Sequence, residues 1–158
     1  MTSDMTCFET FVRAVEKTAE CERDGVLGGE YLVFPPNPDY GYEATPRNAL
    51  TFACMGVDGV HYAILTIDGA VCDESPVIHV SPMDFSEPYA VLGECFVSYL
   101  AAACGVTRRA MEAVFEEERA GRRVLVPFLK EHFVHSRLYD EERLRSLDRF
   151  LERVEPRA

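Results

Sequence analysis

Three side chains in the segment 54–61 are of types that do nucleophilic chemistry: Cys54, Asp58 and His61. A thiol beside an imidazole, with a carboxylate to orient the ring, is the arrangement of a cysteine nucleophile and its general base. Cys54 and His61 flank the run Met55-Gly56-Val57-Asp58-Gly59-Val60, so a hairpin turn there would bring them within reach of each other. The electrostatics oppose this reading. A reactive thiolate needs a positive surrounding to lower its pKa, and this is the most anionic part of the chain. A small cysteine-dependent enzyme using Cys54, His61 and Asp58 is therefore the alternative reading, and the leading one assigns no catalytic residue. Metal chemistry has less support still. His132 and His135 stand one helical turn apart beside Glu131, yet the His-Glu-x-x-His order of a zinc protease is absent, as is the paired Glu-x-x-His arrangement of a di-iron bundle. The six cysteines (Cys7, Cys21, Cys54, Cys72, Cys95 and Cys104) contain no Cys-x-x-Cys pair, and Gly56 and Gly59 lack the Lys-Ser/Thr ending of a phosphate loop. No metal ligand and no cofactor is expected.

What remains is recognition, and charge says of what kind. The 158 residues carry 16 Lys+Arg against 27 Asp+Glu, a formal net charge of -11. Nucleic-acid affinity comes mainly from cations on phosphates, so neither a nucleic acid nor an anionic membrane is an expected partner. The acidity is local: residues 1–105 hold 16 acids and 4 bases, whereas 106–158 hold 11 and 12. From Asn48 to Val106 there is no Lys or Arg at all, while Asp58, Asp68, Asp73, Glu74, Asp84, Glu87 and Glu94 all lie in it. An acidic run of this kind serves as a solvated face, or as a surface that steers a cationic partner. Tyrosines interleave with it. Tyr40 and Tyr42 sit in a loop crowded with proline and glycine, where a rigid amphipathic ring is available to a partner, while Tyr62 belongs to an apolar strand and is expected in the core. The expected docking surface is Asp39, Tyr40, Tyr42, Glu43, Asp58, Asp73 and Glu74.

These residues must be placed by a fold. Phe8, Phe11, Val12, Val15 and Ala19 recur at helical spacing, and Thr6 with Glu9 three residues later makes a capping box, predicting a helix from Thr6 to about Cys21. Tyr31 to Phe34 reads as a short strand stopped by Pro35-Pro36-Asn37-Pro38. Leu50–Met55 and His61–Ile67 flank the Asp-Gly hairpin signal, Asp68-Gly69 makes a second turn, Val77–Val80 supplies another strand, and Val91 is still extended. Cys95, Phe96, Tyr99, Leu100 and Ala103 then return to helical spacing until Gly105. A third helix starts at Thr107, and a last one runs from Asp140 to about Glu155 with Leu144, Leu147, Leu151 and Val154 on one face. That stripe packs on its own domain or makes a homodimer, so a monomer or a homodimer is expected. No repeat or long linker divides the chain. The expectation is one α+β domain over 1–158, a central antiparallel sheet flanked by helices with a helical C-terminal extension over 106–158. No stretch approaches the ~20 apolar residues of a membrane span, and the start Met1-Thr2-Ser3-Asp4 lacks a basic, apolar leader, so a cytoplasmic location is expected.

The order of a helix, a short strand ending in prolines, a loop, then Leu50-Thr51-Phe52-Ala53-Cys54-Met55-Gly56-Val57-Asp58-Gly59-Val60-His61-Tyr62, Pro76-Val77-Ile78-His79-Val80 and Val91 to Leu100 resembles the SMI1/KNR4-like (SUKH) superfamily over residues 6–105. The resemblance implies a central antiparallel sheet flanked by helices. In bacteria it implies an immunity protein that neutralises a polymorphic toxin, many of which are nucleases or nucleic-acid deaminases. Such a toxin carries a cationic surface for its substrate, and an acidic inhibitor competes for the surface that phosphate would occupy. The expected function is a non-enzymatic protein-binding domain with a basic protein partner.

Overall fold

The structure, a computed structural model, describes residues 5–17, 20, 31–103 and 147–157. Helix α1 spans Cys7–Glu16, and its first turn is closed as the capping box requires: Thr6 Oγ1 accepts from the Glu9 N–H at 3.1 Å while Glu9 Oε2 accepts from the Thr6 N–H at 3.0 Å. Such a cap contributes about 1 kcal/mol. Phe8, Phe11 and Val15 form its buried face, each worth about 1.5–3 kcal/mol when fully removed from water. The helix ends at Glu16 and Lys17 caps it; Glu20 is again helical, and residues 18, 19 and 21 of the expected extension lie outside the described residues.

Five strands follow, β1 Tyr31–Asn37, β2 Ala49–Cys54, β3 His61–Leu65, β4 Val77–Val80 and β5 Tyr89–Gly93, paired antiparallel in chain order. The hairpin signal was legible: Gly56, Asp58 and Gly59 all adopt positive φ between β2 and β3, and Cys54 stands opposite His61. Asp68 and Gly69 do the same in the second turn, closed by the Ile67–Ala70 bridge. Strand β1 corrects the reading of the prolines. It runs on through Pro35 and Pro36 to Asn37, with a cis Phe34–Pro35 bond and a register shift between Leu32 and Asn37. Proline is tolerated there because β1 is an edge strand, where a missing N–H and a bulge leave no interior ladder broken.

Helix α2, Phe96–Ala103, packs back on the sheet directly after β5. Gly93 permits this turn, since a Cβ at that position would lie 2.8 Å from the Tyr99 backbone nitrogen. On the α1/α2 side, Phe8, Phe11, Val15, Phe52, Tyr62, Ile64, Val77, Phe96, Tyr99 and Leu100 form the larger core. On the other side Ala49, Ala63, Leu65, Ile78 and Val80 form a smaller one, joined by Ala44, Tyr89, Val91 and Val154. The C-terminal segment is a 3₁₀ helix over Leu147–Arg153, not the α-helix expected from the leucine stripe. Its buried anchor is Phe150, which that stripe omitted, while Val154 packs against the smaller core and Leu151 is half-buried. Residues 140–146 of that expected helix, the helix from Thr107, His132, His135, Cys21 and Cys104 lie outside the described residues. Among the described residues no helix is long and apolar enough to cross a membrane.

Candidate functional site

The sheet has two ends. The β2–β3 hairpin and the β4–β5 connection share one of them, the hairpin end, because His61 pairs with both Cys54 and Val80, and Val80 with Tyr89. The β1–β2 loop leaves from the opposite end yet reaches the hairpin end by lying down across the smaller core. Thr45 is fully buried and its hydroxyl sits 3.0 Å from His61 Nε2. The Tyr89 hydroxyl donates to the Ala44 carbonyl at 2.6 Å. Arg157 ties the start of the loop from outside, donating from Nε to Thr45 O at 2.8 Å and from a terminal nitrogen to Pro38 O at 2.9 Å, with Asp39 at 3.5 Å.

This fold-back packs Tyr40 and Tyr42 against the hairpin. The Tyr40 ring lies 4.7 Å from the His61 ring, and Tyr42 stacks on His61 at 5.7 Å with the planes 22° apart. The Tyr42 ring also covers Gly59, where a Cβ would meet it at 2.7 Å and where φ is +71°, so glycine is required on both counts. Tyr40, Tyr42, Cys54 and residues 56–60 together line an open cleft of about 240 Å³. Burial, followed by a hydrogen bond with Cys54 and the nearness of Tyr42, pushes the Tyr40 phenol up to about 12, so it stays neutral at physiological pH.

His61 is fully buried, and both its ring nitrogens are engaged. Nδ1 lies 2.8 Å from the Gly59 carbonyl, which can only accept, so Nδ1 carries the proton and Nε2 accepts from the Thr45 hydroxyl. Burial lowers the His61 pKa, with the charge of His79 adding to the effect and the Gly59 bond working against it. The ring is thus a clamp between hairpin and loop. Although Cys54 and His61 share a cross-strand position, the imidazole offers no free nitrogen to the thiol, and the hydrogen-bond partner of Cys54 is Tyr40.

Of the seven residues expected to dock a partner, the structure gathers five at the hairpin end. Tyr40, Tyr42 and Asp58 line the cleft, Glu43 is exposed in the turn beside it, and Asp39 holds Arg157. Asp73 and Glu74 are elsewhere: they sit in the β3–β4 connection at the opposite end. Asp73 there accepts the Cys7 N–H at 2.7 Å, satisfying a free donor of the first turn of α1 and complementing the helix dipole. That carboxylate, after burial itself, helps push the Cys7 thiol up to about 11. Nearness in sequence to other acids gave no hint of this separation.

The structure also adds residues to the hairpin end. Tyr31, Met55, Val57, Met83 and Phe85 are exposed there with Tyr42, Met83 by 65% and Phe85 by 89%. Asp84 and Glu87 lie among them in the β4–β5 connection, where hydrogen bonds from the Glu87 N–H and the Ser86 hydroxyl hold the Asp84 carboxyl below its usual value. A sequence signal existed for Val57, Met83 and Phe85, which occupy turns where strand alternation cannot bury them, whereas Met55 read as the end of a strand that the structure closes at Cys54. No protein-family profile, no characterised protein and no solved structure matches the chain.

Proposed function

We propose that this protein is a non-enzymatic binding module that docks on a basic protein partner through the hairpin end of its sheet, in the manner of an immunity protein neutralising a nuclease- or deaminase-like toxin. The observation that carries the reading is the composition of that end: six exposed large apolar side chains, Tyr31, Tyr42, Met55, Val57, Met83 and Phe85, set among Glu43, Asp58, Asp84 and Glu87. The apolar groups supply area to bury, which gives affinity, and the carboxylates set encounter rate and exclude acidic partners. A cationic surface that would otherwise hold phosphate is the complement to this arrangement. The Asn48–Val106 segment contributes no cation that would offset the carboxylates from within.

The test is a double charge reversal, Glu43→Lys with Asp58→Lys, applied to association with a partner isolated from the native cell. Between ~50 and ~500 mM salt the wild-type association rate should fall by at least about tenfold, and the reversed variant should lose both the fast rate and its salt dependence. An acidic partner, or an association rate that ignores salt, overturns the reading.

A further inference from the structure

We propose that the cleft between Tyr40, Tyr42 and Asp58 is a socket for a single arginine side chain of the partner, an inference that rests on the binding reading above. The cleft holds about 240 Å³ and opens on one side, a space for one long side chain and not for a backbone segment. Its walls are the rings of Tyr40 and Tyr42, 5.9 Å apart and tilted by 40°, backed by the His61 ring. Asp58 stands exposed at the lip, held there by its positive φ in the hairpin. A planar cation fits this geometry better than a compact one. A guanidinium stacks on an aromatic face while its edge donates to a carboxylate, whereas an ammonium is a strongly hydrated point charge that gains less from either.

The chain itself shows that this loop receives a guanidinium. On its outer side the carbonyls of Pro38 and Thr45 and the carboxylate of Asp39 already hold Arg157. Like that site the cleft presents a carboxylate, and it offers aromatic faces in place of the backbone carbonyls. Arginine is also among the residues that most often anchor protein interfaces by insertion into a pocket.

The experiment titrates the full-length protein at ~150 mM salt with tetra-arginine, tetra-lysine and tetra-citrulline amides, following backbone and aromatic NMR signals. Tetra-arginine should shift Tyr40, Tyr42 and Gly59 and bind at least about threefold more tightly than tetra-lysine, and tetra-citrulline should not bind. Tyr42→Leu keeps a bulky apolar group over Gly59 but removes the π face, and Asp58→Asn removes the charge. Each should weaken tetra-arginine by about threefold or more, while Glu74→Gln at the far end changes nothing. Equal binding of the arginine and lysine peptides overturns the socket, as do shifts mapping away from the hairpin end or an affinity indifferent to Tyr42→Leu. If the socket fails while the native partner still loses its fast association on double charge reversal, the docking reading stands alone. If the reversal has no effect either, both fall.

Discussion

On the helix side of the sheet Phe8, Phe52, Phe96 and Tyr99 meet edge to face, with ring centroids between 5.1 and 5.9 Å for Phe8–Phe96, Phe52–Tyr99, Phe52–Phe96 and Phe8–Phe52. On the other side Ala49 and Ala63 leave a low surface, covered by the β1–β2 loop and the C-terminal segment through individual hydrogen bonds. The first face is closed by burial of area, which has no direction and tolerates small shifts. The second is closed by donors and acceptors that must meet within a few tenths of an ångström. The candidate docking surface stands on the second, because Tyr40 and Tyr42 are placed by that loop. The proposed docking surface therefore rests on the face opposite the aromatic core.

The strongest way to break this division is Phe52→Ala. Phe52 is 1% exposed and touches the rings of Phe8, Phe96 and Tyr99, so the truncation should cost about 3–5 kcal/mol in urea unfolding. In the fraction that remains folded, the Tyr42 and Gly59 signals should keep their positions. If they move, the two faces are coupled and the division fails.

The next effect lies on the loop face. Asn48 donates to Arg153 O at 2.7 Å and, more weakly, to Thr66 O at 3.4 Å, while its Oδ1 accepts from the Glu155 N–H at 2.9 Å. One side chain thus joins the start of β2 to the C-terminal segment. Asn48→Ala should cost about 2 kcal/mol and raise amide exchange across 154–157, with α1 unaffected. A cost below about 0.5 kcal/mol would mean that Phe150 and Val154 hold the segment by packing alone.

The two faces also differ in how much the sequence reveals of them. The capping box at Thr6 and Glu9, the positive-φ turn at Asp58-Gly59 and the helical period of Phe8, Phe11 and Val15 are local, and the structure follows them. Strand β1 running through its prolines was not legible, because its position at the sheet edge is set by pairing with β2 far along the chain. Neither was the fold-back of the loop. Thr45 finds His61 16 positions away and Arg157 finds Pro38 across 119, by single polar contacts that leave no periodic trace. At the candidate site Tyr40, Tyr42 and Asp58 were recognisable from type and surroundings, whereas the removal of Asp73 to the other end followed from its role at α1.

A third prediction uses one histidine on each face. His79 contacts the Tyr62 ring of the larger core, and His61 clamps the loop. Burial lowers both pKa values below the ordinary 6.5, so below that pH the unfolded chain takes up protons that the folded chain does not. The stability is fully present above pH 6.5 and is lost as the pH falls toward the folded values. Unfolding free energies at pH 7.5 and 5.5 should show this loss, and His79→Asn should remove only the helix-face share of it. Thr45→Val should add about 1–2 kcal/mol of destabilisation at pH 7.5 by leaving Nε2 without its donor. A stability that rises as pH falls from 7.5 to 5.5 would contradict both assignments.

The smallest effect belongs to the ion pair between the C-terminal segment and the start of β2. Arg47 and Glu155 approach to 3.7 Å, but their side chains are 63% and 58% exposed, so water and salt screen the attraction and holding two long side chains offsets much of it. Beside it run two bonds that do not involve the carboxylate: the Arg47 N–H donates to the Glu155 carbonyl at 2.8 Å, and the Glu155 N–H donates to Asn48. Glu155→Gln removes the charge and leaves both in place. It should therefore shift the unfolding free energy by no more than about 0.5 kcal/mol, with amide exchange across 154–157 unchanged. A loss approaching that of Asn48→Ala would mean that charge, and not the directed backbone contacts, closes the loop face.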